Sequence, residues 1–435
     1  MNTETRTLPR PDPVTRPITA LASTTVLCGL VIMLPLMMGQ RTPETLTASL
    51  LVMVTGSFIA LALSAGRQGL PNPGWLWFAG GFSAMVMLHV WPSTTLAQLF
   101  GPYPQEFFDH PSFHPAHWSP DPGASLRSWA TFTALFAIAW LGYSMSRSLR
   151  RHVWLALVGM ALFQALYGLL AQAADAETIL GIWERESRNF PHGSFSNRNI
   201  FAAYLALAWP MAVSIWWIRD VPGLKRLPRE LKVTGSVLCG SIIGAAILGS
   251  GSRLGAAAGI FAMLLALILW GRHRRLIRGA SVWPIYLASA GAFASAVWYG
   301  LTPLAERLLA TTGEELRLEF MRIMLTEFPR TWYLHGIGLG GFEAAFRPFQ
   351  ESHFSGWLDY AHNDLLQWLV ETGLPGLIMM LFIGVQILRK FRLTIERIAL
   401  YSGLAALSLV ALGDFSWHIP ATQIVLAFYI GVLLR

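Results

Sequence analysis

The sequence predicts an all-α, polytopic integral membrane protein with about twelve transmembrane helices and a large outer loop that contains short helices. Its composition carries the first part of this prediction. Hydrophobic residues make up 54% of the 435 residues and charged residues only 13%, which is too apolar for a soluble protein of this length. The apolar residues also fall into runs of about 17 to 22, enough to cross roughly 30 Å of hydrocarbon.

Twelve such runs can be marked along the chain, and each is predicted to be a membrane-spanning helix. A polar tail that contains proline precedes the first run, so we expect residues 1–17 to be a cytoplasmic tail and 18–435 to be a single membrane domain. No cleavable signal is expected, because the first run lacks a small-residue cleavage pattern. The runs lie near residues 18–38, 46–65, 75–91, 126–145, 153–172, 199–218, 233–250, 254–270, 280–300, 374–388, 398–413 and 418–434.

The distribution of basic residues predicts the orientation. With the amino terminus in the cytoplasm, the strongly basic short loops, such as 219–232 and 272–278, all lie inside, as the positive-inside rule requires. Both termini are then cytoplasmic. The net charge of +8 is therefore a topology signal. It does not indicate a nucleic-acid partner, because the basic clusters are short and are separated by membrane spans.

Cysteine and histidine usage gives no indication of a metal site. The two cysteines, Cys28 and Cys239, lie inside apolar runs, so neither a disulfide framework nor a cysteine metal site is expected. The Pro- and aromatic-rich loop 92–125 is predicted to fold onto the outer membrane interface. This loop contains three histidines, His110, His114 and His117. No Cys or acidic partner at a known spacing completes a metal-ligand set with them.

The segment before the sixth run contains a candidate anion site. Ser196 or Asn197 can cap the helix that follows, which places Arg198 in its first turn. The exposed N–H groups of a helix start and a guanidinium together favour an anion. The alternative is an interfacial arginine whose side chain extends to water.

A second candidate lies in the tight outer turn 249–255, which holds a single charge, Arg253. The planar guanidinium suits phosphate or carboxylate. A topology anchor is the alternative, although the positive-inside rule disfavours an arginine on the outer side.

The largest outer segment, residues 301–373, contains a further arginine and a glycine-rich stretch. Its first part, 314–325, has helical periodicity with Arg317, Met321 and Met324 on one stripe. The stretch 336–342 is not framed by a strand and helix of a βαβ unit, so it is not expected to bind a nucleotide. We expect a close-packed turn that leads to a helix around Phe346.

Residues 361–376 predict a short amphipathic helix with His362 at its start. Asn363 and Asp364 belong to its polar face. Gly373 can end this helix and Pro375 can open the next. An ionisable imidazole beside a membrane-length apolar segment is usually functional; the alternative is a structural histidine at an interfacial helix.

Four pieces of the sequence, in this order, resemble the O-antigen ligase and polymerase superfamily of bacterial envelope glycan assembly. They are residues 193–205, residues 251–255, Arg317 with residues 336–342, and residues 362–367 with 371–376. They cover about residues 190–376, whereas the first 150 residues match only in hydropathy. The stretch around Asp414 is also similar but less informative. The sequence departs from the commonest pattern at Leu254, where glycine often follows the arginine.

The resemblance implies a metal-independent, cofactor-free, inverting glycosyltransferase of the bacterial inner membrane, with its active site facing the periplasm. The donor would be an undecaprenyl-diphosphate-linked glycan. We expect an O-antigen ligase that uses lipid A–core as acceptor in lipopolysaccharide biosynthesis. The alternative within the family is a Wzy-type polymerase of O-antigen or exopolysaccharide, with a lipid-linked glycan as acceptor.

By the same resemblance, Arg253 and Arg317 match the arginines that hold the donor diphosphate, and His362 matches the histidine that assists the acceptor hydroxyl. A transporter is a competing class, but transporters place charges or broken helices at the midplane, and here the charges gather at the outer rim. The expected substrate-binding residues are Arg198, Asn197, Arg322, Asn363 and Asp364.

Overall fold

The computed structural model describes residues 15–39, 42–68, 73–96, 117–185, 188–276, 290, 314–350 and 358–435. The predicted ninth run, 280–300, lies almost wholly outside these residues, as do His110 and His114. Two short strands, β1 (Thr178–Ile179) and β2 (Trp183–Glu184), pair antiparallel. The α-helices are α1 Thr15–Leu36, α2 Pro43–Gln68, α3 Pro73–Val90, α4 Pro122–Ser144, α5 Arg147–Ala173, α6 Arg198–Ser214, α7 Arg229–Gly249, α8 Arg253–Leu276, α9 Glu314–Glu327, α10 Arg330–His335, α11 Phe342–Phe346, α12 Asp364–Arg389, α13 Ile395–Val410 and α14 Pro420–Leu433.

Seven helices in the described part of the chain are long and apolar enough to cross a membrane. Two shorter apolar helices cover Gly74–Val90 and Pro420–Leu433. The prediction of a helical protein with many membrane-length helices is therefore confirmed, while the count of about twelve spans stays a prediction. The seven are Ile18–Leu36, Glu44–Ser64, Arg147–Ala173, Arg198–Trp217, Arg229–Gly249, Arg253–His273 and Asp364–Arg389.

Helix α6 is the central helix of the membrane domain. Every residue from Ile200 to Ser214 is buried, as expected for a helix that is apolar all round. It packs against α7, α8 and α13. The approach of α13 is close: a Cβ on Gly403 would lie 2.3 Å from the Leu207 carbonyl oxygen, and small residues permit such backbone contact between helices. The loop that follows α13 is thereby fixed beside the core.

The short helices α9, α10 and α11 pack around an aromatic cluster of their own. Phe320, Phe328, Trp332 and Phe346 are all buried in it. Phe328 contacts Trp332 edge to face, with ring centroids 4.9 Å apart. Both the predicted helix at 314–325 and the predicted helix around Phe346 are confirmed, and the cluster holds the first of them against the start of α12.

Helix α12 consists of two helices joined at a break. Gly373 has φ 64° and ψ −165°, a left-handed region that glycine adopts readily, and Pro375 follows it inside the next turn. The predicted stop and restart at these residues is confirmed. The break thus separates the short helix that carries the polar face from the apolar helical stretch that follows.

The glycine-rich turn at 336–342 binds a carboxylate of its own chain. The amide of Gly340 donates to Glu371 Oε2 at 2.8 Å, and that of Phe342 donates to Oε1 at 3.4 Å. Glu371 is only 1% exposed. The expected close-packed turn is therefore confirmed, and its amides are used to hold the short helix of α12 in place.

Candidate active site

Two segments of the chain lie against each other next to the first turn of α9. We call them the His362 segment (residues 361–364) and the Asp414 loop (residues 411–418). Three consecutive carbonyls of the loop accept hydrogen bonds: Ala411 from the Asp364 amide at 2.8 Å, Leu412 from Asn363 Nδ2 at 3.0 Å and Gly413 from Arg317 Nη1 at 2.9 Å. The first part of the loop is thus fixed to residues that the sequence singled out.

Arg317 and His362 converge on one carboxylate. Arg317 Nη2 lies 3.4 Å from Asp414 Oδ2, and His362 Nδ1 lies 3.5 Å from Asp414 Oδ1. The second distance is long for a hydrogen bond, but catalytic bonds often shorten only when substrate is bound. Two residues that are 45 positions apart in sequence therefore share Asp414, which sequence reasoning did not assign to the site.

The surroundings of Asp414 favour its ionised form. Its side chain is only 3% exposed, and the Phe415 amide donates to Oδ1 at 2.9 Å. Burial acts to raise the pKa of this carboxyl, but the neighbouring His362 imidazole and the positive charge of Arg317 outweigh it and hold the pKa below its usual value. A carboxylate facing Nδ1 favours the tautomer whose Nε2 can accept a proton.

His362 has a strained backbone. Its φ is 50°, in the left-handed region that side chains other than glycine rarely adopt. The preceding amide, of the fully buried Ala361, donates to Gln367 Oε1 at 2.9 Å, and the Phe415 ring lies edge-on to the imidazole at 4.9 Å. Strain of this kind persists only where the surroundings enforce it, and it clusters at functional sites.

The cap of the short helix is Asn363 and not His362. Asn363 Oδ1 accepts from the Leu366 amide at 2.9 Å, while its Nδ2 bonds the loop. The structure therefore supports a positioning role for the Asn363 side chain. Helix capping therefore does not explain the position of His362.

Asp364 lies inside the protein. Its side chain is 0% exposed, and it accepts hydrogen bonds from the Trp417 amide at 2.8 Å and from His418 Nδ1 at 2.6 Å. A carboxylate that is buried and bonded in this way holds the Asp414 loop and has no surface for a substrate. The geometry therefore favours positioning over the direct contact that the sequence suggested.

Arg253 is the first residue of α8 and is half-buried. The turn before it is held by Ser252, whose hydroxyl accepts from the Gly255 amide at 3.2 Å. The next side chain, Leu254, packs on the Asp414 loop, because a Cβ built on Gly413 would lie 3.0 Å from Leu254 Cδ2. The leucine that departs from the family pattern thus places the start of α8 next to the loop that binds Arg317.

Asn197 and Arg198 form the predicted start of α6. Asn197 caps the helix, and its Oδ1 accepts from the Asn199 amide at 2.7 Å. The Arg198 guanidinium lies 4.5 Å from the centroid of the Phe190 ring, a cation–π contact. Asn197 and Ile419 line the same small cleft, so this helix start borders the residue that follows the Asp414 loop.

Arg322 is exposed on α9, and no contact ties it to the Asp414 loop among the described residues.

The described part of the chain contains no group of three or more His, Cys, Asp or Glu side chains that could hold a metal ion. His117, the member of the predicted loop that is described, has its Nδ1 2.8 Å from the Val90 carbonyl oxygen.

Residues 238–381 match the family model described as O-antigen ligase. The match includes Arg253, Arg317 and His362, begins after Arg198 and ends before Asp414. No curated protein matches the chain significantly.

Proposed function

We propose that this chain, of which residues 238–381 match the O-antigen ligase family model, is a membrane glycosyltransferase that moves a lipid-linked glycan to an acceptor hydroxyl. The donor is an undecaprenyl-diphosphate-linked glycan and the acceptor is lipid A–core. The observation that carries this proposal is the convergence of Arg317 and His362 on the buried Asp414.

In the proposed reaction His362 is the general base. Nε2 takes the proton of the acceptor hydroxyl while the hydroxyl oxygen attacks the anomeric carbon of the donor sugar. Asp414 holds Nδ1 and stabilises the imidazolium that forms, as the acidic member of a hydrolase triad does. The bond from the anomeric carbon to the diphosphate oxygen breaks on the opposite side, so the configuration at that carbon inverts.

The electron pair of the broken bond stays on the diphosphate, where negative charge develops. Arg253 and Arg317 stabilise this charge, and preorganised cations are worth most where water is excluded. Arginine has five N–H donors in a rigid fork, so the bonds of Arg317 to Gly413 and Asp414 fix its plane while it also faces the phosphate. Protonated His362 then returns its proton to water, and no step requires a metal ion.

The remaining predicted residues take supporting roles in this proposal. Arg198 and Asn197 contact the donor at the start of α6, and Arg322 contacts the glycan from the exposed face of α9. Asn363 and Asp364 act through the Asp414 loop. The positive-inside rule supports an inner-membrane protein with cytoplasmic termini and the site on the periplasmic face, where the lipid tail of the donor stays in the bilayer.

Purified protein in lipid nanodiscs tests the proposal. Undecaprenyl-diphosphate glycan is supplied with either lipid A–core or a second lipid-linked unit, in buffer with chelator and no divalent metal. We expect glycan on lipid A–core and free undecaprenyl diphosphate. Consumption of the second lipid-linked unit instead identifies a polymerase, and no transfer to either acceptor rejects the proposal. The exposed His152 at the start of α5 supplies the control variant, His152→Ala, which should be fully active.

A further inference from the structure

A second His–Asp pair lies beside the first. In the second pair the carboxylate belongs to the His362 segment and the imidazole to the Asp414 loop, the reverse of the first pair. His362 of the His362 segment faces Asp414 of the loop, whereas Asp364 of the same segment binds His418 of the loop. The Nδ1 to Oδ1 distance of the second pair is 2.6 Å, that of a short, charge-assisted hydrogen bond. Each segment thus supplies one imidazole and one carboxylate.

The second pair is buried to about the same degree as the first. Asp364 is 0% exposed and His418 is 25% exposed, against 3% for Asp414 and 24% for His362. A buried carboxylate must be compensated by donors, and those of Asp364 are the Trp417 amide at 2.8 Å, the Ser416 hydroxyl at 3.5 Å and His418 Nδ1. All three belong to the Asp414 loop. The place of Asp364 therefore fixes the place of the second half of the loop.

The two pairs are coupled through a short and rigid stretch. Residues Ser416–His418 form a 3-10 turn, closed by the His418 amide on the Phe415 carbonyl at 3.2 Å. The Phe415 ring stacks on Tyr360 at 4.8 Å and also contacts the His362 ring, at 4.9 Å between ring centroids. Phe415 and the 3-10 turn therefore connect His418 to Asp414 and to the ring that contacts His362.

We propose that His418 is a positioning residue for glycosyl transfer. Its Nδ1–H, through Asp364, holds the Asp414 loop so that Asp414 stays beside His362 and Arg317. The inference rests on the proposed function, because it assigns His418 to the reaction of that site. His418 itself does not touch the reacting atoms.

Two substitutions of His418 separate positioning from direct catalysis. The side-chain amide nitrogen of asparagine occupies about the place of Nδ1, whereas that of glutamine reaches the place of Nε2. His418→Asn keeps the donor to Asp364, so we expect transfer close to that of the wild type. His418→Gln loses this donor, and we expect kcat to fall about 10- to 100-fold, because a misplacement of about 1 Å can cost that much.

Hydrogen–deuterium exchange of residues 411–419 in the same purified proteins gives a readout that does not depend on activity. We expect faster exchange in His418→Gln and in Asp364→Asn, and exchange like that of the wild type in His418→Asn. Asp364→Asn serves as the second variant if either His418 variant fails to fold. His152→Gln is the matched control and should change neither readout.

The outcomes are separable. If wild-type protein transfers no glycan, the proposed function fails, and the exchange data still test the contact between His418 and the loop. If His418→Gln and Asp364→Asn keep wild-type transfer and exchange, the positioning role is wrong. If His418→Gln is active and His418→Asn is inactive while folded, His418 acts through Nε2 and the inference is likewise overturned.

Discussion

The His362 segment and the Asp414 loop contribute equally to the candidate site but differ in how visible they are in the sequence. The first opens a helix of clear amphipathic period that ends at a Gly–Leu–Pro signal, and it lies within the family match at 238–381. The second lies between two apolar runs without any period, beyond that match. The difference shows that a residue which starts a helix can be recognised from the local helical period, whereas a residue that completes a site through tertiary contacts has no such period around it.

The largest difference between the two segments is expected from substitution of His362. His362→Ala should lower transfer by about 10² to 10⁴, the usual contribution of a general base, with protein levels unchanged. His362→Asn should be as inactive, because Asn363 already caps the helix and an amide cannot accept the proton. Both are assayed in nanodiscs against His152→Ala. An active His362→Asn variant would remove the base from the mechanism and leave the segment a structural role.

The loop is tested at its carboxylate. Asp414→Asn keeps the shape of the side chain but loses the charge that Arg317 and His362 share, so transfer should fall by about 100-fold or more, as loss of the acidic triad member does in hydrolases. The single-turnover rate of donor-loaded protein measures this loss. Asp121→Asn, at a partly exposed helix cap away from the loop, is the matched control. If Asp414→Asn transfers glycan at the wild-type rate, only the His362 segment takes part in the reaction.

A smaller effect is expected at the start of α8. Arg253→Lys keeps the positive charge but replaces a bidentate fork with a point charge, so transfer should fall by about 10-fold and the KM for donor should rise. Arg272→Lys, near the other end of the same helix, is the control and should change neither parameter. An unchanged KM in Arg253→Lys would show that Arg253 does not bind the donor diphosphate.

The smallest effect concerns stability and pH. The pKa of Asp414 is lowered in the folded protein, so its contribution to stability is present above the ordinary Asp value of about 3.9 and is lost as the pH falls through the lower folded value. The difference in Tm between wild type and Asp414→Asn should be constant from about pH 7 to pH 5 and narrow below about pH 4. A difference that already vanishes at pH 6 would contradict the ion pair with Arg317.

Much of the fold follows from local patterns, and the site follows only in part. The break at Gly373, a cap at Ser196 or Asn197 and the helix that carries Arg317 could be predicted because each depends on residues within a few positions. The pairing of Arg317 with Asp414 joins residues 97 apart, and no period or spacing encodes it. Asp364 was expected to face a substrate since its place on a polar helix face looks solvated in sequence, yet the loop covers it completely.

The break at Gly373 also determines the depth of the site in a bilayer. The helical stretch from Pro375 to Arg389 rises about 22 Å at 1.5 Å per residue, whereas the hydrocarbon layer is about 30 Å thick. In the proposed topology Arg389 and Lys390 lie among the cytoplasmic headgroups, and Pro375 then lies about 8 Å short of the opposite headgroup layer. A bilayer accommodates such a short apolar stretch by becoming thinner around it, or flanking polar side chains extend to the headgroups. A thinner bilayer would bring the headgroups closer to the break at Gly373, and so to the short helix that His362 precedes.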